Sequence, residues 1–170
     1  NSLTYAWDLD NDGSFETPGQ SVSFSAVALT APGSHIVKVQ GTDPGGLTSV
    51  SESTVTVIYN FAGFFKPIKN PAAFTKVDAG NTVPVRFSLT GNQGLNIFAA
   101  GYPNIQFISC ATSAPIGSPI TTVAKSLTYN SKTDQYTYLW RTGKNWEHKC
   151  GILQIQLNDG TTQTARFKFD

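Results

Sequence analysis

Apolar and polar residues alternate with period two along most of this chain, and no stretch carries a sustained helical stripe. LTYAWDL places Leu3, Tyr5, Trp7 and Leu9 on one face, and SVSFSAVAL places Val22, Phe24 and Ala26 together. SHIVKVQGTD sets Val37 and Val39 against Lys38 and Gln40, and SESTVTVIY aligns Val55 with Val57. TDPGGLTS, with one proline and two glycines, reads as the turn between the last two. Four strands with short, turn-rich connections are predicted, as in a β-sandwich.

The pattern changes near residue 60. NFAGFFKPIKNP is aromatic and proline-bearing and predicts a short, stiff, partly buried linker, with Phe61, Phe64 and Phe65 packed at the junction. A second strand series follows. TVPVRFSL turns Val83, Val85, Phe87 and Leu89 inward, and Pro84, which has no N–H, predicts a strand at or beginning at a sheet edge. NIQFISC leads to Cys110. KSLTYNSKTDQYTYLWRT reads as a hairpin, and ILQIQLNDGTTQTARFKFD as another around Asn158-Asp159-Gly160. The latter sets Leu153, Ile155 and Leu157 opposite Ala165, Phe167 and Phe169.

Composition narrows the environment. Of 170 residues 39% are hydrophobic, enough for real cores, but only 14% are charged, against a usual quarter; hydroxyl and amide side chains fill the difference, as in extracellular all-β proteins. Residues 1–59 hold one lysine against six acids, a net −5, and residues 60–170 hold eleven Lys and Arg against five acids, a net +6. This opposition supports two domains. The basic residues are scattered, which argues against nucleic acid. No apolar run approaches the ~20 residues of a membrane span, and the absence of methionine predicts a processed product or a fragment. Two cysteines and two histidines make a zinc site improbable, so Cys110 and Cys150 read as one structural disulfide of a secreted protein.

The strongest candidate chemistry is AWDLDNDGSFE. Asp8, Asp10 and Asp12 alternate around Gly13, with Glu16 beyond. Calcium needs six to eight oxygens, and carboxylates at every second position of a glycine turn can converge them. Asp10 and Asp12 are the leading ligands, with Asn11 and Glu16 assisting; Asp8, opposite in phase to Trp7, either joins them or bonds the turn backbone. The order begins like an EF-hand, but Gly19 stands where its twelfth-position Glu would be, and no flanking helices are legible. The other reading is a turn alone, since Asp, Asn and Gly are common turn formers. Tyr136, Tyr138 and Trp140 alternate as core residues do, whereas Trp146 and Tyr102 lie in loop-like text and are candidates for stacking on a sugar ring. His35 and His148 read as surface or structurally bonded. No base–nucleophile pairing is legible, so no enzyme is expected.

Two resemblances organise these readings. LTYAWDLDNDGSFE, PGSHIVKVQGTDPGGLTS and STVTV resemble the second half of a PKD domain, an immunoglobulin-like β-sandwich of bacterial surface and secreted proteins, over residues 3–58. FAGFFKPIKNPAAFTKVDAGNTVPVRFSLTGNQGLNIF, YNSKTDQYTYLWRTGKNWEHKCGILQIQLNDGT and ARFKF resemble the PxKF domain over residues 61–169, with Arg86 where lysine is usual and with Cys110 and Cys150 matching that family's pair. Together they imply an all-β chain of two tandem immunoglobulin-like β-sandwiches, 1–59 and 60–170, the first lacking two N-terminal strands. The PKD resemblance further implies an uncovered apolar face and a strand edge to be completed by a neighbouring domain or chain, by self-assembly into a filament in one form. The expected role is a non-catalytic structural, assembly or adhesion module of a secreted or cell-surface protein; the alternative is a carbohydrate-binding accessory module that recognises glycans.

Overall fold

A computed structural model of the protein describes residues 2–26, 32–69 and 73–170. The chain is all-β; the described residues contain no helix long and apolar enough to cross a membrane. It divides into two units, Asn1–Ile58 and Tyr59–Asp170.

In the first unit the alternating stretches become β1 (Thr4–Asp8), β2 (Thr17–Pro18), β3 (Gly33–Thr42) and β4 (Thr48–Val57), an antiparallel sheet in the order β2-β1-β3-β4. Cross-strand partners share a face. Trp7 therefore lies beside Val39 and Ser51, and Tyr5 beside Gly41, on the side that also carries Val37, Val55 and Val57. Among the described residues Val37 is the only buried hydrophobic side chain of this unit, while Leu47, Val50 and Ile58 are exposed. The β3–β4 connection is held by Asp43, whose Oδ1 accepts the N–H groups of Gly45 and Leu47, both at 2.9 Å. The strand expected from SVSFSAVAL does not form at Val22–Ser25, and 27–29 lie outside the described residues. The pattern alternates, but the sheet is formed by β2, β1, β3 and β4, and Val22–Ser25 pair with none of them.

The second unit is a sandwich. One sheet contains β5 (Phe64–Phe65), β7 (Thr82–Phe87), β10 (Val123–Asn130) and β11 (Gln135–Arg141), ordered β10-β11-β7-β5. The other contains β6 (Phe74–Val77), β8 (Asn104–Ile108), β9 (Ile120–Thr121), β12 (Cys150–Gln156) and β13 (Thr162–Phe169), ordered β6-β13-β12-β8-β9. Their inner faces share one core: Val83, Val85, Phe87, Tyr136, Tyr138 and Trp140 meet Ile105, Leu153, Ile155, Ala165, Phe167 and Phe169. Trp140 stands edge-on to Phe167 at 5.0 Å between ring centres.

Details depart from the periodicity. Phe61 and Phe64 pack on this core, Phe61 stacking on Phe87 at 5.9 Å, so the aromatic stretch read as a linker belongs to the second unit. β7 is flanked on both sides, not an edge; β5, however, pairs only with Phe87 and Arg86, so beside Pro84 one side has no strand. In the β12–β13 hairpin only Leu153 and Ala165 of the predicted facing sets are direct partners; Gly151 faces Phe167.

Cys110 and Cys150 form the disulfide, with Cα atoms 5.2 Å apart, just beyond the Ile108–Cys150 pair of β8 and β12. Replacing both by serine removes a cross-link over 40 residues. The expected loss is ~3–4 kcal/mol through the freed unfolded chain. Urea unfolding of the second unit checks it.

Candidate functional site

The acidic stretch is the loop between β1 and β2, whose strands pair as Trp7 with Thr17 and Ala6 with Pro18. Trp7, half-buried, donates its indole N–H to the Gly19 carbonyl at 2.9 Å and fixes the return of the loop. Asn11 and Gly13 take left-handed backbone conformations, φ 62° and 94°. Glycine adopts this readily and Asn is the side chain that tolerates it best. The two reversals fold the loop so that carboxylate oxygens of Asp8, Asp10 and Asp12 lie within 4.8 Å of one another.

The three carboxylates differ in environment. Asp10 and Asp12 are exposed; Asp8 is fully buried. Asp8 Oδ2 accepts the Gly13 N–H at 3.0 Å, Asp10 Oδ1 that of Asp12 at 3.3 Å, and Asp12 Oδ1 that of Ser14 at 2.7 Å. Asp8 thus does bond the turn backbone, and it also joins the cluster. Its second oxygen, Oδ1, is buried without a hydrogen-bond partner. Lys38 is the register partner of Asp8 on β3 but forms no ion pair with it. Glu16 is exposed and stands outside the cluster.

In the second unit Trp146 sits on the 3-10 turn Lys144–Trp146. It is half-buried against Phe107, Phe169 and Trp140, at 5.3, 5.3 and 5.9 Å between ring centres. Its indole rests so closely on Gly143 that a Cβ there would come within 2.7 Å of Nε1. Trp146 also lines a groove of about 370 Å³ with Ile120, Thr121, Thr122, Arg141, Thr142 and Gly143. Tyr102, also half-buried, does not line that groove, so the two aromatic candidates are not brought together. Tyr136, Tyr138 and Trp140 are buried in the core. His148 is exposed, 3.8 Å from Glu147; His35 is half-buried beside Phe24, with Nε2 lacking a partner among the described residues.

Two further carboxylates organise the second unit. Asp134, at the β10–β11 turn, accepts from the Ser88 and Tyr129 hydroxyls, both at 2.8 Å, and from the Gly91 N–H at 2.9 Å. Asp159 accepts the Tyr59 N–H at 2.6 Å together with the N–H and hydroxyl of Thr161. Sequence reasoning missed both. Asp159 was legible as a turn residue, but its partner Tyr59 lies 100 positions away.

No family model matches the chain, and no curated protein matches it. Among solved structures it is similar to SGBP-B of the Bacteroides ovatus mixed-linkage glucan utilization locus, in complex with a mixed-linkage heptasaccharide. That likeness has 16% identity and a TM-score of 0.31, over 99% of this chain and 37% of that one. It is also similar to murine CEACAM1b, at 14% identity and a TM-score of 0.38, over 98% of this chain and 84% of that one. The chain therefore spans little more than a third of the first structure's length.

The Ser88 hydroxyl, then the Tyr129 hydroxyl and the Gly91 N–H, hold the Asp134 carboxyl below the ordinary carboxylate range. A carboxyl with a depressed folded pKa stabilises the fold fully above its unfolded pKa; that contribution is lost as pH falls through the folded value. Asp134→Ala is expected to lower the urea midpoint at neutral pH. The gap to the parent should close on acidification below the folded pKa. A gap constant with pH contradicts the assignment.

Proposed function

We propose that this chain is a non-catalytic structural or adhesion module of a secreted or cell-surface protein, a PKD-like unit followed by a PxKF-like unit. The observation that carries this reading is the structural use of the reactive side chains of the second unit. Both cysteines are in the disulfide. Asp134 and Asp159 each gather three donors from the scaffold. The Tyr129 and Tyr138 hydroxyls are paired with Asp134 and Thr122, and that of Tyr136 accepts the Gln93 N–H. Burial foremost raises the pKa of Tyr136 and Tyr138 above that of free tyrosine, keeping them protonated rather than poised for acid–base work. The disulfide supports an oxidising, extracellular compartment.

A second reading, a carbohydrate-binding module, draws on the groove beside Trp146. An indole edge, three threonines and a guanidinium are groups that suit a sugar ring and its hydroxyls. Because Trp146 is also packed into the core, its truncation would confound binding with stability; Arg141, exposed on the groove wall, is the better probe. On the first reading the protein turns over no chromogenic ester, glycoside or peptide substrate and gives no specific signal on a glycan array. Saturable polysaccharide binding that is lost in Arg141→Ala, with an unchanged melting temperature, transfers the assignment to the second reading. Turnover that co-purifies with the protein overturns both.

A further inference from the structure

We infer that the β1–β2 loop is a calcium site built on Asp8, Asp10 and Asp12. The inference goes beyond the module reading and stands apart from it, because it concerns only the first unit. Three negative charges held within 4.8 Å repel one another, and no ion pair among the described residues neutralises them: Lys38, the register partner of Asp8, makes none with it. A turn alone does not require this. At the β3–β4 turn a single carboxylate, Asp43, ties down two N–H groups.

The buried oxygen decides between a turn and a site. Asp8 is 0% exposed, and its bond to the Gly13 N–H shows that the carboxylate points into the loop. Its Oδ1 nevertheless has no partner. A buried carboxylate oxygen without a donor is costly, more so than a neutral polar group. A cation at that oxygen removes the cost and, in the same step, the repulsion among the three acids. The remaining oxygens suit this arrangement. Each carboxylate gives one oxygen to a backbone N–H, leaving Asp8 Oδ1, Asp10 Oδ2 and Asp12 Oδ2 without a donor among the described residues.

The chemistry selects the ion. All the donors are hard oxygens, with no histidine or cysteine in the cluster. The three carboxylates come from one short irregular loop, a geometry that calcium accepts and that magnesium, which demands a near-ideal octahedron, does not. Two carboxylates of the three are exposed, which points to the weak regime of extracellular modules, Kd about 10⁻⁴–10⁻³ M.

The test uses the whole chain at fixed ionic strength. Calorimetric titration is expected to show one calcium per chain. The transition of the first unit should rise by about 10 °C at a hundredfold excess over Kd, relative to EDTA, with a distinctly smaller rise in equimolar magnesium. Asp10→Asn/Asp12→Asn, both in the exposed loop, should abolish binding while keeping the EDTA circular-dichroism spectrum of the parent. Asp43→Asn should leave binding unchanged. Absence of binding heat, an equal rise in the double variant, or an equal response to magnesium overturns the site.

Discussion

The second unit depends on one seam, the contact of the Trp140 ring with Phe167 and Phe169 across the two sheets. Strand periodicity puts Tyr136, Tyr138 and Trp140 on the same face of β11, and pairing to β7 adds Phe87, stacked on Tyr136 at 5.5 Å. Edge-to-face aromatic pairs add ~0.5–1.5 kcal/mol each beyond the burial of their area. The seam also sets what surrounds it. Trp146 closes its end, β12 is held in register, and the disulfide joins β12 to the chain leaving β8. The first unit has no counterpart: its described strands make one sheet, and its tryptophan holds a loop instead of joining two layers.

What the sequence revealed follows from the range of each interaction. Alternation is local, so β1, β3, β4, β7, β10–β13 and the burial of the β11 aromatics were legible in the text. The Cys110–Cys150 bond was legible because only two cysteines exist. The strand read into SVSFSAVAL does not form at Val22–Ser25, because alternation is local and says nothing about whether a partner strand comes alongside. Pro84 was read as an edge signal; the two-residue β5 lets an interior strand tolerate it. The acidic loop was visible as a cluster, yet the distinct state of Asp8 was not. Phase along β1 fixes the face on which Asp8 lies, but only the fold of the loop decides that this position is buried.

A common device links the turns of both units: a carboxylate gathers N–H groups that the reversing chain leaves unpaired. Asp43 does this within five residues, while Asp134 and Asp159 do it across 43 and 100. These three acids are therefore part of the scaffold and not free surface charges. The low charge content that suggested an extracellular protein is also a structural economy, since turn-rich β folds have many such N–H groups to satisfy. The loop at Asp8 departs from the others in having more carboxylate oxygens than donors.

The parallel pairing of β6 with β13 has a mechanical consequence. Phe74–Val77 run parallel to Arg166–Phe169, and Val77 and Ala79 extend the pairing to Asp170. Tension along the polypeptide pulls the beginning of one parallel strand away from the end of the other. These hydrogen bonds are then loaded together, in shear, instead of being unzipped in turn. Beyond them the bond between Cys110 and Cys150 withholds the 40-residue segment from extension even after the sheets part. Strand order and cross-link thus both resist separation of Phe74 from Asp170 along the chain.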